Sequence, residues 1–198
     1  MTSYLTRLLR EPKTTAAQQC ELCAAPVGGA HGHVVDTSDR RLLCTCTACS
    51  MLFTGSTRGR LRAVPKRYAI VPSPLFSDAQ WDALGIPIGL AFFFENSKTQ
   101  RVVAFYPGPA GATESELPLE AWSELRAREP QIALMQPDVE AVLVYRLHGY
   151  RARAFLVPID VCYELVGLVR SQWTGISGGD EVHETIDRFF ERISEYAR

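Results

Sequence analysis

The sequence predicts an α+β protein in which a small cysteine-rich module precedes an antiparallel sheet with helices packed on one face. Three observations carry this expectation. Five of the six cysteines lie between Cys20 and Cys49. Two pairs of apolar stretches, 86–95 with 101–106 and 139–147 with 153–159, are each joined by a short turn-forming segment, the pattern of antiparallel hairpins. Two C-terminal stretches repeat apolar residues at helical spacing. Hairpins and helices that are segregated along the chain point to α+β rather than α/β architecture.

The bounds on the chain agree with this. At 198 residues and 46% hydrophobic, it can bury an ordinary core, which excludes a disordered chain. The opening "MTSYLTRLLREPK" has no apolar run, and Arg7, Arg10 and Lys13 interrupt it. Neither a signal peptide nor a membrane span is expected there, and the cytoplasm is the expected compartment. In a reducing cytosol, clustered cysteines hold metal more readily than they form disulfides. The net charge of −1 conceals a division. Residues 1–70 carry ten Lys/Arg against four acids, +6, and the remainder carries −7. Such a chain either folds its halves against one another or presents two surfaces to partners of opposite charge.

Taken in order, Tyr4, Leu5, Leu8 and Leu9 suggest a short amphipathic helix before the cysteines. After the cysteine module, "TGSTRGRLRAVPKRYAIVPSP" reads as a strand or basic arm bearing Arg58, Arg60 and Arg62. The expected division is therefore 1–70, helix, cysteine module and arm, and 71–198, an α+β domain. Ser77 and Gln80 form a capping box for a short helix, and the 86–106 hairpin turns at "NSKTQ". Leu119, Trp122 and Leu125 mark the next helix, ahead of the 139–159 hairpin. The last two helices bury Leu165, Val166, Val169 and Trp173, then Val182, Ile186, Phe189, Phe190 and Ile193, the second of them capped by Asp180.

The chemistry lies in the cysteines. Cys20-x-x-Cys23 and Cys46-x-x-Cys49 each place two thiolates on a tight turn, and two such turns facing one another complete a tetrahedron. The intervening "HGHVVDTSDRRLL" alternates and turns at Asp36–Asp39, forming a hairpin between the pairs. A treble-clef or zinc-ribbon-like module with zinc on Cys20, Cys23, Cys46 and Cys49 is expected, iron or an iron–sulfur cluster being the alternative. Cys44 is surplus, and three roles stay open: a strand residue beneath the site, a replacement ligand, or a reactive thiol. His31 and His33 share one face of an extended strand, as ligands, as supports for ligands, or as exposed hairpin residues.

Two resemblances follow. "CELC…HGHVVD…LLC…C" resembles the zinc-binding half of a treble-clef finger of the HNH endonuclease type. It departs after Cys49, where "SMLFTGSTRGRLR" has no histidine or asparagine, so the catalytic half is missing and nuclease activity is not expected. Across nearly the whole chain, "LLCTCTACSMLF", "VVAFYPGPAGATES", "FLVPIDVCYELVGLVR" and "GISGGDEV" resemble an uncharacterised actinobacterial family encoded beside high-affinity uptake [NiFe] hydrogenases. That resemblance implies an accessory or maturation protein whose partner is another protein, a hydrogenase component. With iron in the site, it implies an electron relay.

The remaining features are read conservatively. "FYPGPAGATESE" (105–116) lacks the Lys-Ser/Thr of a phosphate loop and reads as a stiff connection from strand to helix. Arg58, Arg60, Arg62, Lys66 and Arg67 suit the acidic second half of the chain as well as they suit phosphate, so nucleic acid is not the favoured partner. Cys162 falls on a buried helical stripe, His148 in a hairpin turn and His183 in a first helical turn. The favoured reading is non-enzymatic: a metal-bound adaptor whose arginine edge and N-terminal helix meet another protein.

Overall fold

In a computed structural model of the protein, the described residues are 18–56, 59–72, 75–84, 86, 89–108, 111–116, 119–146, 152–173 and 180–197. The expected helix at Tyr4–Leu9, Arg58 and His148 lie outside them. The architecture is α+β, with two antiparallel sheets among the described residues. Strands β1 (Gly32–Asp36), β2 (Arg41–Thr45) and β3 (Leu61–Ala63) form a small sheet in the order β2-β1-β3. Strands β4 (Ala69–Val71), β5 (Leu90–Asn96), β6 (Arg101–Gly108), β7 (Gly111–Glu116), β8 (Glu140–Tyr145) and β9 (Arg153–Pro158) form the large one, in the order β4-β9-β8-β5-β6-β7.

Alternation on the central strands divides the core in two. Leu90, Phe92 and Phe94 of β5 join Leu143, Phe155 and Val157 on one face. Ala91 and Phe93 join Val142, Val144 and Leu156 on the other. A strand buried on both faces reads as a continuous apolar run, which is why "LAFFF" shows no polar alternation. The first face is covered by the two long helices, Ile159–Gln172 and Asp180–Tyr196, through Leu165, Val169, Ile186 and Phe190. The second is covered by shorter pieces carrying Trp81, Trp122, Leu125 and Ile132. Helices thus occupy both faces, the long ones together on one. Cys162 is wholly buried on the first face, where burial pushes its thiol well up.

In chain order the helices are α1 (Thr47–Met51), α2 (Asp78–Ala83), α3 (Leu119–Arg128), α4 (Pro130–Ala133), α5 (Ile159–Gln172) and α6 (Asp180–Tyr196). The capping box at α2 is present, with Ser77 accepting from the Gln80 amide and Gln80 accepting from that of Ser77. Two expectations are corrected. The 105–116 stretch is not a strand-to-helix connection. It belongs to β6 and β7, which pair as a hairpin down to Gly108 opposite Gly111, where φ is +117°. The basic stretch after the cysteines is not one strand either. Pro65 cannot donate to a ladder, and on either side of it β3 joins the small sheet while β4 joins the large one.

Opposite charges from the two regions meet one another. Arg62, 3% exposed, donates to Asp138 at 2.9 Å, and Asp138 also accepts the Ser97 amide. Arg67 grips fully buried Glu140 with bonds of 2.8 and 2.7 Å. Arg60 clasps Asp36 within the small sheet. Arg62 is therefore not part of a free arginine edge for a partner, because its guanidinium is consumed inside the protein.

Arg60 and then the Ser38 hydroxyl hold the Asp36 carboxyl well below the usual carboxylate range. A depressed folded value favours the folded state above the unfolded value of about 3.9, and the benefit is lost as pH falls toward the folded value. Stability is expected to decline as pH drops below about 4. Asp36→Asn should flatten that part of the profile in urea titrations at successive pH values.

Candidate metal centre

The first cysteine pair sits on a knuckle closed by its own backbone. The Cys20 amide donates to the Ala25 carbonyl and the Ala24 amide to the Cys20 carbonyl, each at 2.8 Å, and Gln19 bridges to Pro26. Ala24 closes the turn at φ +61°, a left-handed conformation that costs a side-chain-bearing residue about 1–2 kcal/mol. Ala24→Gly should raise stability by about 0.5–1 kcal/mol without changing metal content, measured by denaturant titration and metal analysis.

The knuckle is fixed to the hairpin at Cys44, reciprocally. The Glu21 amide donates to the Cys44 carbonyl at 2.8 Å, and the Cys44 amide donates to the Glu21 carboxylate at 2.7 Å. The second pair opens α1. Cys46 is the N-cap, and its sulfur accepts from the Cys49 amide at 3.5 Å. Gly32 lets β1 pass close to this helix, since a Cβ there would lie 3.0 Å from Ser50 Cβ and Oγ.

Knuckle, hairpin and helix bring Cys20, Cys23, Cys46 and Cys49 together, with all four sulfurs within 4.8 Å of one another. Cys23 Sγ and Cys46 Sγ are 3.8 Å apart. Metal–sulfur bonds of about 2.3 Å put the edge of an S4 tetrahedron at about 3.8 Å, which the Cys23–Cys46 pair matches. All four are free thiols. The Cys46 amide is the main influence holding the Cys20 thiol down to about 6. Cys49 is pushed up to about 12, foremost by the Cys23 and Cys46 sulfurs. One thiolate forms readily while the last resists, because four like charges cannot share the space without a cation. The group can hold a metal ion. The spacing of the cysteines was sufficient signal for it.

Cys44, a residue of β2, is not one of the four gathered sulfurs. Its sulfur lies within 4.8 Å of ring nitrogens of His31 and His33, a separate gathering. Burial and then Glu21 push its thiol up. His33 Nδ1 is 2.7 Å from Asp160 at the start of α5, and His31 Nδ1 is 2.8 Å from the Gly28 carbonyl. His183 is exposed in the first turn of α6. No helix among the described residues is long and apolar enough to cross a membrane.

Residues 19–197 match the model of a family of unknown function (DUF5947), and the chain belongs to that family. No curated protein and no solved structure matches it.

Proposed function

We propose that this member of a family of unknown function is a zinc-binding accessory protein that acts by docking another protein, with Cys20, Cys23, Cys46 and Cys49 as the zinc ligands. The observation that carries this reading is the four-sulfur gathering itself. Four protein ligands fill a tetrahedral ion, leave no position for substrate or activated water, and make the metal a structural brace. The order of knuckle, hairpin and short helix, with one cysteine pair on the first and the other opening the last, supports a treble-clef module. What the ion braces includes a projecting apolar edge, since Met51 and Leu52 at the end of α1 are 69% and 77% exposed. This edge replaces the arginines as the favoured docking surface. The hydrogenase setting implied by resemblance supplies the candidate partner, a hydrogenase component.

The same sulfurs would accept iron, which would make the protein an electron relay. Anaerobic purification from the native cell decides between them. A colourless protein carrying one zinc per chain, from which Met51→Asp and Leu52→Asp variants no longer co-purify a hydrogenase component, is the expected result. Visible thiolate-to-iron absorption would place iron in the site and favour the relay instead.

A further inference from the structure

Beside the four-cysteine cluster, the hairpin carries another set of soft ligands. His31 immediately precedes β1, and His33 lies two residues on, so both side chains emerge on one face of the extended chain. Cys44 of β2 is the register partner of His33, and directly opposed residues of an antiparallel pair share a face. One nitrogen of each ring and the Cys44 sulfur accordingly lie within 4.8 Å of one another. The imidazoles are not stacked, their planes being inclined at 59° with centroids 4.7 Å apart.

Both rings are held in the manner of metal ligands. The Gly28 carbonyl occupies His31 Nδ1, and the Asp160 carboxylate occupies His33 Nδ1. Each partner can accept a hydrogen bond from Nδ1–H and leave Nε2 as the lone-pair donor, which is how carbonyl and carboxylate groups orient metal-binding histidines. His31 Nε2 is buried and has no hydrogen-bond partner. A buried polar atom without a partner is costly, and a bound cation removes that cost.

We propose that His31, His33 and Cys44 form a second metal site, taking a divalent borderline cation such as Zn²⁺ through two nitrogens and one sulfur. Among the described residues no fourth histidine, cysteine or carboxylate joins the three, so one tetrahedral position is open to an exchangeable ligand. Asp160 is a positioning residue: it touches His33, not the ion. The hairpin thereby serves two ions, one closed in by the four cysteines and one accessible.

Titration of the full chain, as purified, with Zn²⁺ under competition from a chromophoric chelator tests this. Wild type should take up one equivalent beyond the tightly held ion. His31→Ala and Cys44→Ser should abolish the added equivalent while retaining the first, and Asp160→Asn should weaken it by about 10–100-fold. Co²⁺ at the added site should show thiolate charge-transfer absorption that Cys44→Ser removes. His31→Gln, which keeps bulk, covers the case in which the alanine variant misfolds. Absence of an added equivalent in wild type, or its persistence undiminished in His31→Gln and Cys44→Ser, overturns the proposal. Failure of the four-cysteine reading would show separately, as loss of the tightly held ion from wild type.

Discussion

Cys46→Ser is expected to release the tightly bound metal and unfold the segment from Cys20 to Ala63, while the large sheet survives. Cys46 has three tasks. Its sulfur is 3.8 Å from that of Cys23, it caps α1, and its amide faces the Cys20 sulfur. Serine can take over the cap but not the thiolate. Among the described residues of this segment, the fully or nearly buried apolar side chains are Cys20, Val34, Val35 and Leu43, too few to offset chain entropy unaided. Zinc binding in small modules is worth about 10–16 kcal/mol of apparent folding free energy at neutral pH, so losing one ligand removes most of what orders this one. Limited proteolysis should cut within the 20–63 segment and leave a resistant fragment containing β5 to α6. An uncut variant that retains its metal would remove Cys46 from the ligand set.

Arg62→Ala carries the next largest effect, about 3–5 kcal/mol lost in urea denaturation. Arg62 is 3% exposed and Asp138 7%, so truncating the arginine strands a carboxylate away from water. Asp138 also sits at φ +64°, a conformation that aspartate and asparagine tolerate better than other side chains, and it accepts the Ser97 amide. Arg62→Met with Asp138→Asn should therefore recover most of the loss. Asparagine keeps the left-handed turn and the bond to Ser97, and no unpaired charge remains. Metal content should stay unchanged in both variants, because the pair joins the two sheets without touching the cysteines. A loss under 1 kcal/mol for Arg62→Ala would show that water or a neighbouring group relieves Asp138.

The contrast between these two sites shows what a sequence exposes. The gathering of Cys20, Cys23, Cys46 and Cys49 was legible because two Cys-x-x-Cys pairs are a local signature, in residue type and in spacing, of a site for a metal ion. The hairpins at 97–100 and after β8 were legible because turn residues separate apolar runs, and α2 because its capping box is local. The division of charge offered Arg62 and Arg67 an acidic partner in the second half of the chain, but not which one, because Asp138 and Glu140 lie 76 and 73 residues away and nothing local announces a buried pair. β7 escaped because "GATESE" at the sheet edge has no apolar face to alternate. The short helices covering the second face follow from "LAFFF" being apolar at every position, a signal open to a buried helix as well. Cys44 stands between these cases. Pairing Asp36 with Arg41 places Cys44 opposite His33, but that register required the turn length to be known.

The central claim is that one ion is bound by four sulfurs. X-ray absorption at the zinc edge, on a His31→Ala/Cys44→Ser variant so that only the four-cysteine site contributes, tests it most directly. A single shell of four sulfurs at about 2.3 Å is the result the account predicts. A shell containing nitrogen or oxygen at about 2.0–2.1 Å, or no bound zinc in protein purified from zinc-replete cells, would contradict it.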